Sequence, residues 1–325
     1  MLLTMIALQA AAIAPGTSRR YVEAARSACA APVGERPTLR SIKVDRLTAS
    51  PGDLPALRVT DQRSGGWLLV YYDAGGEGAA YARAACLGVQ MRLLARALGA
   101  PRLPRQWFST VFTTDPDYVA PAQQVVTRWK IPLEADGRFA AQTQPMLLLT
   151  LPHEQVHSFQ SRAGAHLPRW LEEGHAEWIG HKVAALLSPP AEEAEEQRSR
   201  RSLMAHPLPV HLGSWGAIRV RREAIMRQVP EEERRKMEAD PAYTAPLSGR
   251  SFSFGPADMT SDESNLDLRY AAAWQLFRDL EAEHGKSAVQ SWVDDLTKTS
   301  GSIDNAMAVR TADAVLHEQL SQRLD

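Results

Sequence analysis

In the run His153-Glu154-Gln155-Val156-His157, two imidazoles stand four residues apart and a carboxylate directly follows the first. An α-helix advances about 100° per residue, so positions i and i+4 share a face with Cβ atoms roughly 5–6 Å apart. Two rings so placed can converge on one zinc ion. Glu154 is turned away from that axis, which makes it a poor third ligand but suits it to taking a proton from water activated by the ion. A catalytic zinc usually has three protein ligands and one open position, so a third donor must come from elsewhere in the chain.

Fifteen residues lie between His157 and Glu173, which belongs to the stretch Trp170-Leu171-Glu172-Glu173-Gly174-His175-Ala176-Glu177-Trp178. A carboxylate on this second helix would complete a His2Glu set, with Glu173 the candidate and Glu172 its neighbour. Glu177 follows Glu173 by one turn, on the same face, within reach of the far ring nitrogen of a ligand histidine, where it would fix the tautomer. His166 and His175 are left out, because a lone histidine is more often solvated or hydrogen-bonded than metal-bound.

HExxH followed by W-L-x-E-G-x-A-E resembles the gluzincins, the zincin group that includes thermolysin and the peptidase MA-like proteins. The resemblance implies that Glu173, the glutamate before the glycine, is the third zinc ligand, and that Glu177 orients a ligand histidine. Metzincins place a third histidine six residues after the second, where this chain has Ala163. The segment Tyr270-x-x-x-Trp274-x-Leu276-x-x-x-Leu280, with Gly285 beyond it, is similar to a helix that follows the zinc helices in peptidase MA-like proteins. Related aminopeptidases use such a tyrosine to donate to the oxyanion, which assigns that role to Tyr270, with Tyr243 as its rival. The implied activity is zinc-dependent peptide-bond hydrolysis with one Zn2+ per chain and Glu154 as general base, acting on a peptide or protein. The alternative is a noncatalytic zinc-binding protein of the same fold. No aminopeptidase G-x-M-E-N-type segment occurs, which favours an endopeptidase or a narrow substrate.

The elements that must position these groups read as an α+β fold: an N-terminal mixed sheet with helices, the HExxH helix, then a mostly helical portion. A helix is expected from Arg19 to Ala31. Extended runs follow at Ser41–Leu47, Ala56–Asp61 and Trp67–Tyr72, separated by Pro-Gly and Gly-Gly signals. From Glu77 to Leu98 the apolar stripe Leu87, Met91, Leu94, Leu98 predicts an amphipathic helix. Gln106–Thr113 and Gln124–Leu133 are extended. By resemblance, Val125–Leu133 is the sheet edge along which a peptide would pair. Pro152 has no amide hydrogen and predicts a helix that begins or kinks there, with Gln144–Thr150 buried before it as either an offset helical turn or an extended run. Glu192–Arg201 reads as a charged, solvated helix or linker and Arg219–Arg222 as a solvated helix face. Pro230–Ser264 reads as a loop or lid, and Ala288–Leu324 as two helices joined at Ser300-Gly301-Ser302.

Lys+Arg 37 against Asp+Glu 38 leaves a net charge of −1, which recommends neither nucleic acid nor an anionic membrane as partner. Residues 1–14 are apolar over the length of a signal h-region and too short to span a bilayer, so export to the periplasm or medium is expected. Cys29 and Cys86 are compatible with one disulfide or with two buried thiols. The expected layout is a signal peptide at 1–14, an α+β zincin-like portion over 15–180 carrying the site, and a mainly helical portion over 181–325, with oligomeric state open.

Overall fold

Three N-terminal strands form a meander and two more extend it in parallel. β1 (Ile42–Leu47), β2 (Ala56–Asp61) and β3 (Trp67–Tyr72) pair antiparallel; β4 (Gln106–Thr113) then pairs parallel to β3, and β5 (Arg128–Pro132) parallel to β4. The sheet is thus mixed, in the order β1-β2-β3-β4-β5. This computed structural model describes residues 19–48, 54–99, 106–119, 128–160, 165–206, 208–240, 242–244, 253–262, 264–299 and 301–324. Expectations for residues 1–14, for Val125–Thr127 and for Ala163 lie outside them.

A parallel pair needs a crossover, and α2 (Glu77–Ala97) supplies it between β3 and β4. The apolar stripe Leu87, Met91, Leu94, Leu98 is buried as expected, but the helix is not amphipathic: Arg83, Gln90 and Arg92 are buried too. One side lies on the sheet and the other is covered by α1 (Arg19–Ala30), α4 (Leu151–Gln160) and α5 (Arg169–Leu187), so no face is left to water. Arg83, Gln90 and Arg92 each have at least one hydrogen-bond partner. Arg92 pairs with Asp61 on β2 and donates to Tyr21 and Ser41. A disulfide joins Cys29 of α1 to Cys86 of α2.

The segment before the HExxH run is helical from further upstream than Pro152. α3 (Thr143–Pro145) leads into a π-helical turn (Met146–Thr150) and then α4, so the proline sits inside a continuous helical path. The physical reason is local. In the π turn the Leu151 amide donates to Met146, five residues back, and Leu147's remaining helical donor would be the amide that Pro152 lacks. Gln90 of α2 supplies the missing donor, its Nε2 2.5 Å from the Leu147 carbonyl. The burial expected over Gln144–Thr150 is confined to Leu147 and Leu148.

Beyond α5 the chain is mainly helical: α6 (Pro189–Ala205), α7 (Arg222–Gln228), α8 (Glu231–Ala239), α9 (Leu266–His284), α10 (Lys286–Thr297), α11 (Asn305–Leu316) and α12 (Ser321–Leu324). Two small sheets tie it together: β6 (Ala165–His166) with β9 (Gly301–Ser302), and β7 (Ile218–Val220) with β8 (Met259–Ser261). Arg219–Arg222 is therefore a short strand leading into a helix rather than one helix face. Among its described residues, the Pro230–Ser264 stretch holds α8 and β8. α9 buries Trp274, Phe277 and Leu280 and ends at Gly285, whose φ of 81° suits a residue without a side chain. Among the described residues, no helix is long and apolar enough to cross a membrane.

Candidate metal centre

α4 and α5 pack side by side and bring His153, His157 and Glu173 to one point. His153 Nε2 lies 3.0 Å from His157 Nε2, and Glu173 Oε2 lies 3.0 Å and 3.3 Å from those two atoms. Ligands at roughly 2.0–2.1 Å from a tetrahedral ion stand about 3.3 Å apart, so the three atoms have the spacing of one shared ion. This buried His-His-Glu group could hold a metal ion.

Two glycines permit the approach. A Cβ on Gly180 would fall 3.2 Å from the His153 backbone nitrogen, so the absence of one lets α5 close on α4. On another face of α5, a Cβ on Gly174 would fall 2.9 Å from Phe277, where α9 packs.

The outer nitrogens of both rings face acceptors. His157 Nδ1 is 2.7 Å from Gln160 Oε1, and His153 Nδ1 is 3.1 Å from Glu177 Oε1. With protons on those outer nitrogens both Nε2 lone pairs would face Glu173 Oε2; His153 Nδ1 and Glu173 Oε2 are both buried without an aligned hydrogen-bond partner. Three electron-rich atoms so placed could share a cation. Without one the site draws in a proton: burial disfavours charge on His153, but Glu173 and Glu177 outweigh it and carry the ring up to about 10. Burial likewise works against the Glu173 carboxylate, and the two imidazoles still hold it well below the usual range.

Glu172, the neighbour of the third donor, points its carboxylate to within only 4.0 Å of His157 Nδ1 and lies outside the cluster. His175 is fully buried between Gln160 and Gln290 against Trp178 and Phe277; burial lowers it to about 4, so it is a neutral core residue. His166 is exposed on β6. Tyr243 donates to Glu233, 2.6 Å away on α8. Tyr270 stands at the site instead, its ring centroid 6.0 Å from that of His153, and burial first, then Glu173, pushes its hydroxyl up to about 12, so it keeps its proton.

A cavity of about 360 Å3 opens beside the cluster, lined by His153, Glu154, Tyr270 and Trp274 and walled by Glu195 and Arg198 of α6. Burial raises the Glu154 carboxyl, as suits a group that must accept a proton. α6 is the charged helix expected from composition and buries no residue, yet it borders the site through Glu192, 3.4 Å from His181 Nδ1. His181 Nε2 is 3.4 Å from Glu177 Oε2 and its ring stacks on Trp274 at 4.5 Å.

Gln160, Arg169 and His181 are absent from the sequence-based set. Helical spacing could have found them: Gln160 is three residues after His157, and Arg169, Glu173, Glu177 and His181 recur every fourth residue along α5. A second group, Glu283, His284 and Glu318, also gathers, but Arg323 sits on both carboxylates and already supplies their positive charge.

Compared with known proteins, the chain matches no protein-family model and no curated protein.

Proposed function

We propose that this protein is a zinc-dependent peptidase of the gluzincin type. The observation that carries the reading is the convergence of His153 Nε2, His157 Nε2 and Glu173 Oε2 within 3.3 Å of one another, beside a cavity that also contains Glu154 and Tyr270. Two imidazoles and one carboxylate are a donor set suited to zinc, which when bound supplies Lewis acidity and activates water near neutral pH. Glu154 takes the proton from the attacking water and returns it to the departing amine as the carbon–nitrogen bond breaks. The Tyr270 hydroxyl donates to the oxyanion formed at the scissile carbonyl. β5, the terminal strand of the sheet, offers an edge along which an extended peptide can pair. The disulfide favours an oxidising compartment and so an exported protein.

The test is Glu154→Gln. We expect wild type and variant each to contain about one zinc per chain, with casein or peptide-library cleavage confined to the wild type. Equal cleavage by both would remove Glu154 as general base. Zinc in both with cleavage by neither would favour a noncatalytic zinc-binding protein of the same fold.

A further inference from the structure

Glu173 meets the centre with one oxygen while its other oxygen is already engaged. Oε2 faces the imidazole nitrogens, and Oε1 lies 3.0 Å from Arg169 Nε. Arg169 opens α5 four residues before Glu173. As a helix-stabilising pair this order is the unfavourable one, because a cation in the first turn opposes the positive end of the helix dipole. A departure from a local rule calls for a reason elsewhere in the fold.

That reason lies across the cleft. The Arg169 guanidinium lies over the Trp215 ring at 6.0 Å, and that ring meets Tyr270 of α9 edge-on with centroids 5.0 Å apart. Gly216, with φ +71°, brings the 213–217 loop against the arginine stem, where a Cβ would fall 3.1 Å from Arg169 Cβ. The side chain is thus held between Glu173 on its own helix and Trp215 of this loop, which in turn packs on the proposed oxyanion donor.

We propose that Arg169 is a positioning residue that keeps Glu173 a one-oxygen ligand, an inference that rests on the metal-centre reading above. A carboxylate released from this arginine can turn both oxygens onto the ion. That raises the coordination number by one and fills the position the reaction needs open. It also leaves the buried Oε1 without a donor.

Cobalt(II) substitution reads coordination number through visible absorption, intense for four ligands and weak for five. We expect intense bands in the wild type. Arg169→Met should take up cobalt with several-fold weaker bands and lose about 10–100-fold in zinc affinity by chelator competition, with Arg169→Lys intermediate. Wild-type bands and affinity in Arg169→Met would overturn the proposal. Five-coordinate bands in the wild type would overturn it whether or not the variants fold, while leaving the metal centre intact. A wild-type protein that takes up neither metal would overturn both.

Discussion

At the residue scale the site is organised by what stands behind each ligand. His157 rests on Gln160 and His153 faces Glu177, so with a cation bound each ring would keep its proton on Nδ1 and present the lone pair of Nε2. Glu177 in turn is bracketed by His181. Replacing it by alanine leaves the His153 ring free to change tautomer and tilt. We expect Glu177→Ala to bind zinc about 10–100-fold more weakly while remaining folded, measured by competition with a coloured chelator. Unchanged affinity would mean that the contact orients nothing. The two imidazoles were legible in the sequence because helical spacing places i and i+4 together, and Glu173 through the resemblance of its E-G-x-A-E segment to the gluzincins. The pairing of Arg169 with Glu173 was open to the same spacing argument, but its packing on Trp215 of the 213–217 loop was not, since no periodicity within α5 announces that partner.

At the element scale the separation of α4 and α5 decides whether three donors share an ion. Gly180 sets that separation, and a branched side chain there meets the His153 backbone, which cannot swing aside as a side-chain tip can. We expect Gly180→Val to cost about 1–3 kcal/mol through overpacking and to weaken zinc binding by more than tenfold as Glu173 withdraws from His153. Denaturant unfolding and chelator competition on the same preparation check both. Destabilisation without loss of affinity would show that the helices re-close. The proline before the metal helix belongs to the same scale. A helix start or kink was the expectation at Pro152; α4 begins at Leu151 after the offset π turn, and Gln90 completes the carbonyl that the proline strands, so the helical path continues. Position 90 is distant in sequence, and its polar side chain on a buried helix face shows its purpose only when the Leu147 carbonyl is seen opposite.

At the scale of the whole molecule, buried charge ties the sheet to the helices. Asp61 and Arg92 are both inaccessible, joining β2 to the central helix. Removing the anion alone strands the cation, so Asp61→Asn should lower unfolding free energy by about 3–5 kcal/mol. Burial works against the Asp61 charge, but Arg92 and Ser64 outweigh it and depress its pKa. A depressed carboxyl stabilises the fold fully above its unfolded value of about 3.9 and loses that contribution as pH falls through its lower folded value. Wild-type stability should therefore fall with acidification below about pH 4, and this component should be missing from the variant in urea titrations across pH. The ion should act on the entire fold too, since its ligands join α4, which lies against α2, to α5, which lies against α9. Free zinc at a hundredfold excess over its Kd should add about 2.7 kcal/mol of stability. Chelation should lower Tm in wild type and in Glu154→Gln alike but leave His157→Ala unmoved, and a Tm indifferent to chelator in all three would count against the centre.

What the sequence determined by itself was periodic and local. The HExxH run placed two imidazoles on one face, the E-G-x-A-E segment supplied carboxylates one turn apart, and strand and helix signals outlined an α+β chain. Tertiary structure decided which carboxylate oxygen meets the imidazoles, how α5 approaches α4 over Gly180, that a solvated helix walls the cavity, and that Cys29 meets Cys86. These are distances between elements far apart in the chain. They follow from how side-chain volumes pack on all faces at once, a constraint that no single helical or strand period contains.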